Sequence, residues 1–523
     1  MAIQSEPMIK TVSRDLVSGV VVFLVALPLC LGVALASGAP LLSGLLAGIV
    51  GGVLAGAISG SHSSVSGPAA GLTAVVAVQI QTLGSFDSFL LVVMLAGLIQ
   101  IVLGVARLGL IAEFVPSSVI KGLLAAIGTI LIIKQAPLVV GYKFLPLTEE
   151  TGGFSLTEFL NRFHIGSAIL GVFSLIIMES WSSSKVLKKS IIPAPLIVVL
   201  FGVALSSVFR SIGGVFVVDT TRLVQVPISE KLSEFLGFLQ QPDFSQLGNT
   251  VVYTSALTVA AVASLETLLN LEAIDKIDPQ KRVSPPNREL IAQGIGNMAS
   301  GLIGGLPITS VIIRSSVNLN AGGRTKCATI FYGFLLFFCV LLLPTWLNQI
   351  PLSCLAAILV STGLKLASFK LLKEKWSKGP NQYIPFAVTV VGIVATDLLI
   401  GILVGLSVSI FNILQSNLRS PLRRTIEQTP AGDLVRIELP NQVSFLNRAS
   451  LSRALHEVPR GGHVLLDARS TYYIDPDVID MIRDFKELTD PPFDVVVSLI
   501  GFGGKYGLED HIQYDKPVSD VVL

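Results

Sequence analysis

Between Leu16 and Phe86 the chain contains no Lys, Arg, Asp or Glu, and after Asp87 the next charge is Arg107. A helix needs about 20 apolar residues to cross a bilayer, so this stretch holds two or three crossings. One long helix is excluded, because Pro40, Ser59-Gly60 and Ser66-Gly67-Pro68 interrupt the run. The rest of the chain has the same character. Hydrophobic residues make up 51% of it and charged residues 14%, against about 25% charged in a soluble domain. A polytopic α-helical membrane protein is expected.

Span length and punctuation predict about fourteen membrane segments. They fall near 16–36, 40–60, 67–83, 88–106, 115–140, 166–181, 192–208, 249–272, 288–304, 309–322, 326–343, 350–366, 382–396 and 398–417. Polar loops at 141–165 and 209–248 separate some of them. Ala34-Leu35-Ala36 resembles a signal-peptide cleavage site, but the apolar stretch before it is too long for an h-region, and Glu6 and Asp15 weaken the n-region. It is read as the first span. An even count puts both termini on one side. With both cytoplasmic, the inner connections carry Lys10 and Arg14, Arg107, Lys185, Lys188 and Lys189, and later Arg419, Arg423 and Arg424, while the short outer ones carry Asp87 and Asp397. That is the positive-inside pattern, and it places the protein in the inner membrane as a multi-pass chain.

Residues 1–15 read as a cytoplasmic segment, 16–417 as the membrane domain and 418–430 as a charged linker. From 431 to 523 the pattern changes. Val435, Ile437 and Leu439 alternate with Arg436 and Glu438 as in a half-buried strand, and 463–467 and 493–498 read as two more. Residues 449–458 and 476–488 have helical apolar spacing, so a small α/β domain is expected.

Two segments look alike. Ser61 to Thr73 contains Ser66-Gly67-Pro68, and Gly304-Gly305-Leu306-Pro307-Ile308-Thr309-Ser310 leads into Arg314. Each joins a Gly/Pro break to a short helical stretch, about 240 positions apart. Such paired interruptions point to an inverted-repeat transporter and its site. A helix that begins inside the membrane leaves its first N–H groups unpaired at a positive dipole end, and an anion satisfies both. Arg314 adds a full positive charge. Glu266 is the only charge between Asp243 and Glu272. A carboxylate at that depth marks a functional site, either carrying a proton or helping to bind Na⁺. Asn270 lies one turn on, on the same face. A structural pairing of Glu266 with Lys121 or Lys134 is the alternative. Asn297 and Asn318 are weaker polar candidates in or near spans. Gly44, Gly48, Gly52, Gly56 and Gly60, at intervals of four, make a close-packing helix face.

Other chemistry is not indicated. The five histidines lack metal spacing, and Cys30, Cys327, Cys339 and Cys354 read as packing residues. No cofactor, nucleic-acid or enzyme signature is found. Gly501 to Gly507 lacks the P-loop spacing.

The stretch Asn287-Arg-Glu-Leu-Ile-Ala-Gln-Gly-Ile-Gly-Asn297, with Gly304 to Pro307, Arg314 to Asn318, Ala321 to Thr325 and Ser66-Gly67-Pro68, resembles the SulP (solute-carrier-26-like) anion-transporter family. The resemblance implies a seven-plus-seven inverted repeat with core and gate domains, a homodimer, and an anion between the third and tenth spans. By this likeness Pro68, Ala69, Ala70, Thr309, Ser310 and Val311 offer backbone donors, Arg314 is the tenth-span arginine, and Glu266 is the coupling acid. The tail resembles a STAS domain over Leu465 to Asp475, with Asp475-Pro476-Asp477 where a phosphorylatable Ser would stand. Ala26 to Gly38 looks closest to the bicarbonate-transporting branch, with Glu266 in place of its usual Asp.

The expectation is therefore a secondary active transporter of bicarbonate, or sulfate, coupled to Na⁺ or H⁺. A passive chloride channel or an exchanger of the same fold, and an anion sensor signalling through the STAS domain, are the alternatives.

Overall fold

A computed structural model gives the fold and describes residues 8–109, 115–142, 163–184, 187, 192–228, 232–396, 398–418, 423–429, 432–458, 462–488 and 495–502. Most of the expected loop at 141–165, and the Gly501–Gly507 stretch beyond Phe502, lie outside these residues. The chain forms two compact units, Met1–Leu406 and Ser407–Leu523.

Every one of the fourteen expected segments contains a helix. These are α1 (Met8–Ala36), α2 (Leu41–Val50, continued by a π-helical turn at Gly51–Ala55 and a last turn at Gly56–Ile58) and α3 (Thr73–Leu83, led in by a 3₁₀ turn at Ala70–Leu72). Then come α4 (Phe86–Val105), α5 (Ser117–Val139), α6 (Ile165–Ser183), α7 (Ala194–Ile212) and α8 (Thr250–Ile277). The rest are α9 (Pro286–Leu302), α10 (Ile312–Asn320), α11 (Lys326–Leu342), α12 (Leu352–Leu366), α13 (Pro380–Ala395) and α14 (Leu398–Leu418). Eight helices of the described residues are long and apolar enough to cross a bilayer, and four shorter apolar ones accompany them. Helices α9 and α10 are in neither group. Their polar residues turn out to build the site.

Helix starts follow local chemistry. Ser85 caps α4 by accepting from the Ser88 amide at 3.1 Å, and Asn249 caps α8 through the Val251 amide. At α11 the Thr325 hydroxyl accepts from the Cys327 amide. The buried Asp15 carboxylate of α1 in turn takes the amides of Arg324 and Thr325 and the Thr325 hydroxyl. Cap residues of this kind satisfy donors that the helix leaves orphaned.

Helix packing repeats with a shift of seven. Helix α4 packs on α8 as α11 packs on α1; α4 packs on α9 as α11 packs on α2; α5 packs on α13 as α12 packs on α6. The closest crossings obey the same shift. A Cβ on Gly97 or Gly294 would strike the other's carbonyl, and the equivalent pair in the other half is Gly52 with Gly333. Gly128 and Gly363 make the third crossing, between α5 and α12. The glycine row of α2 is therefore a packing face against α1 and α11, where small residues let backbones approach. Buried Cys30, Cys339 and Cys354 fill the core, whereas Cys327 is exposed at the start of α11.

The second unit holds a four-stranded sheet in the order β3 (Arg423–Thr429), β4 (Gly432–Glu438), β6 (His463–Asp467), β8 (Val496–Ile500). The β3–β4 pair is antiparallel and the others are parallel. A second ladder pairs β5 (Gln442–Val443) with β7 (Tyr473–Ile474). Helices α15 (Arg448–His456) and α16 (Pro476–Leu488) complete an α/β unit, whose core includes Val435, Ile437, Val464, Leu466, Leu451 and Ile482. The expected linker is corrected here. Residues 423–429 are an edge strand, hidden in the sequence because Ile426 is the only apolar residue in it.

Candidate functional site

The two Gly/Pro breaks meet. Ser66–Pro68 forms β1 and Ile308–Ser310 forms β2, paired antiparallel with Ser66 opposite Ser310, Gly67 opposite Thr309 and Pro68 opposite Ile308. Each strand runs directly into a helix start, β1 into α3 and β2 into α10. Antiparallel pairing sends the two helices out from opposite ends of the ladder. Irregular backbone at membrane depth is tolerated only where protein or a cavity surrounds it, and here side chains supply the missing partners.

Asn297 does this most completely. Its Oδ1 accepts from the Ile308 amide at 2.6 Å, and its Nδ2 donates to the Ile308 carbonyl at 3.1 Å and to Gln100 Oε1 at 2.7 Å. One side-chain amide thus replaces a neighbouring strand. Gln293 donates to the Ser66 hydroxyl at 2.6 Å. Ser315 accepts from the Val65 amide at 2.8 Å and donates to the Val311 carbonyl at 2.9 Å. Asn318 donates to the Ser63 carbonyl at 3.1 Å and accepts from Ser18. Sequence reasoning missed Gln100, Gln293, Thr267 and Ser315. Their signal was polarity inside segments expected to span the membrane.

The expected donors sort into two groups. Ser310 gives its amide to Thr267 Oγ1 at 3.4 Å, and Val311 gives its amide to the Val65 carbonyl at 2.9 Å. Thr309 lies within the ladder. Pro68 has no N–H and enters through its carbonyl, which accepts from Arg314 Nη2 at 3.2 Å. Ala69 and Ala70 differ. Their amides, with that of Gly71, donate to no carbonyl among the described residues, and the same holds for Ile312, Ile313 and Arg314. The open donors on the second side therefore begin after β2. These are the orphan first-turn groups of two helices, and Ile312 and Ile313 are exposed at theirs.

Arg314 is 1% exposed. Its guanidinium lies behind β1, where a Cβ added to Gly67 would collide with Nη1. Its Nε and Nη1 have no hydrogen-bond partner among the described residues. Glu266 projects from α8 onto the start of α3, where a Cβ on Gly71 would run into both carboxylate oxygens. Its Oε2 is buried without a partner among the described residues. The pairing with a lysine is not found: Lys121 binds Glu374 at 3.0 Å and Lys134 is exposed. Asn270 donates to the Ser310 carbonyl at 2.7 Å, so it fastens β2. No group of three His, Cys, Asp or Glu among the described residues is placed to hold a metal ion.

Two half-helix starts at the two ends of one ladder, a buried arginine and a deep carboxylate, all inside a multi-pass helical unit, define a membrane transporter of anions and not an enzyme. Residues 12–389 match the Sulfate permease family. The chain belongs to that family. It is similar to the bicarbonate transporter BicA of Picosynechococcus, with 27% identity over 84% of this chain and 76% of that one. It is also similar to the sodium-independent sulfate anion transporter of Bos taurus, with 25% identity over 90% of this chain and 81% of that one. Among solved structures, the transmembrane domain of a cyanobacterial BicA matches with TM-score 0.64 and 25% identity, over 76% of this chain and 98% of that one.

Proposed function

We propose that the protein is a secondary active transporter of bicarbonate, or of sulfate, that couples uptake to H⁺ or Na⁺. The observation that carries this reading is the contact of the Glu266 carboxylate with Gly71. The first turn of a helix attracts negative charge. An ionised Glu266 occupies the same field that an anion needs and repels it. A proton or Na⁺ on Glu266 removes that competition, so anion and cation bind together. The anion then sits between the amides of Ala69–Gly71 and those of Ile312–Arg314, with the Arg314 charge behind. Bicarbonate leads because of the similarity to BicA; sulfate follows from the similarity to the bovine transporter.

In this reading both termini are cytoplasmic, the chain works as a homodimer in the inner membrane, and the C-terminal α/β unit is a STAS domain. In that domain Asp475 caps α16, accepting from the Asp477 amide at 3.0 Å, and Pro476 and Asp477, which follow it, carry no hydroxyl to phosphorylate.

The test is uptake of labelled bicarbonate and sulfate by proteoliposomes under an imposed pH or Na⁺ gradient. The gradient that accelerates wild type names the coupling ion, and Glu266→Gln loses that acceleration. Wild-type flux indifferent to both gradients, or Glu266→Gln flux still gradient-driven, overturns the coupling role.

A further inference from the structure

Tyr332 of α11 is fully buried. Its hydroxyl lies 2.7 Å from the Ser66 carbonyl and 2.9 Å from the Gly48 carbonyl. Ser66 opens β1. Gly48 precedes the π-helical turn of α2, and such turns inside α-helices are frequent at functional sites. A phenol has one proton and accepting lone pairs, whereas a guanidinium only donates. The proton serves the two carbonyls, which leaves the oxygen's accepting side free. Arg314 stands beside it. A Cβ on Gly67 would come within 3.2 Å of both the Tyr332 hydroxyl and the Arg314 guanidinium carbon. The two groups share the space that the missing side chain of Gly67 leaves.

We infer that Tyr332 is a positioning residue for anion binding: one hydroxyl fixes the entry of β1 against α2 and presents its oxygen to Arg314. Tyr332 does not touch the anion. It sets the spacing between the guanidinium, which binds the Pro68 carbonyl, and the Ala69–Gly71 amides that follow in the chain. Several donors must converge on one small ion, and a site of this kind needs its geometry held within about 0.5 Å. A phenylalanine would leave the Ser66 and Gly48 carbonyls without the hydroxyl and free the strand to shift. The inference rests on the reading that the two half-helix starts bind the anion.

The experiment compares full-length wild type, Tyr332→Phe and Tyr332→3-fluorotyrosine in proteoliposomes. Initial rates are measured against the concentration of labelled bicarbonate and of labelled sulfate. In Tyr332→Phe the KM is expected to rise about tenfold, the effect of one hydrogen bond of ordinary strength. The preference between the two anions is expected to narrow, while the maximal rate per folded protein stays near wild type. A purely structural role would lower the amount of folded protein and leave KM and preference alone. The fluorinated residue keeps the shape but makes the oxygen a poorer acceptor, and it raises KM in the same direction even if Tyr332→Phe does not fold. A wild-type KM and wild-type anion preference in either folded variant overturns the inference. If wild type itself shows no saturable uptake of either anion, the reading of the site fails with it.

Discussion

Replacing Arg314 by Gln separates the cost of a buried charge from its use. Nη2 is 3.2 Å from the Pro68 carbonyl, whose peptide bond leads into the Ala69 amide. An ion accepting from that amide lies about 8 Å from the guanidinium, because a trans peptide points its C=O and its N–H in opposite directions. At an effective dielectric of about 20, two unit charges at that distance attract by roughly 2.1 kcal/mol. This corresponds to about thirtyfold in affinity. Without the anion the balance is different. The guanidinium keeps the Pro68 carbonyl and lies beside the Tyr332 hydroxyl, while Nε and Nη1 make no direct hydrogen bond among the described residues, and a buried charge so thinly compensated is costly. Arg314→Gln is therefore expected to raise the KM for bicarbonate about thirtyfold, and that for doubly charged sulfate by more, with an unliganded melting temperature equal to or above that of wild type. Saturating anion should raise the melting temperature of wild type and leave that of Arg314→Gln unmoved. The assays are concentration-dependent uptake in proteoliposomes and thermal unfolding of detergent-solubilised protein. A KM within about threefold of wild type, far below the Coulomb expectation, would refute the electrostatic argument. So would an unliganded variant that melts well below wild type, since it would make Arg314 a structural residue.

Asn297→Ala strips the Ile308 amide and carbonyl of their partners, each worth about 1–3 kcal/mol when buried; a loss of about 2–5 kcal/mol in thermal or denaturant stability is expected, and Asn297→Asp, which keeps only the acceptor, should recover part of it. In the C-terminal unit, the Arg469 guanidinium, aided by Arg436, holds the Asp467 carboxyl well below the usual carboxylate range despite its burial. Because the folded value is depressed, this contribution is complete above about pH 4 and disappears as pH falls through the folded value. The hydrogen-exchange protection factors of β4 and β6 should therefore hold in wild type down to about pH 4 and fall below it. Asp467→Asn should exchange faster at neutral pH, by the equivalent of about 1–3 kcal/mol, and show no such acid dependence.

The charge-free runs and their Gly/Pro breaks were enough to place the fourteen long segments, because lipid leaves so few options for a backbone, but not the short helices at Leu232–Gly237, Pro344–Leu347 and Phe369–Ser377 between them. They were also enough to pair the breaks at Gly67-Pro68 and Gly305–Pro307. What stayed hidden was the ladder. Two three-residue strands have no periodicity to read, yet their pairing commits the Val311 amide to Val65, while Thr267 of α8 takes that of Ser310. The Pro68 expectation failed on chemistry alone, since proline has no N–H. The contact of Glu266 with Gly71 depends on how α8 lies on α3, which spacing along one helix does not encode. The edge strand at 423–429 was read as linker because Ile426 is its only apolar residue, which leaves no alternation to read.

The β1–β2 ladder also sets a condition on how the protein is made. Strand β1 leaves the ribosome about 240 residues before β2. At about 5–20 residues per second, the interval is roughly 12–50 s. Throughout it the polar backbone of Ser66–Pro68 has no strand partner, and the Asn297–Ile308 contact does not yet exist. The first half of the chain is thus inserted as an unfinished product whose third helix start needs water or the insertion machinery beside it. A nascent chain arrested before Ile308 should be degraded quickly, and one arrested after Asn320 should persist.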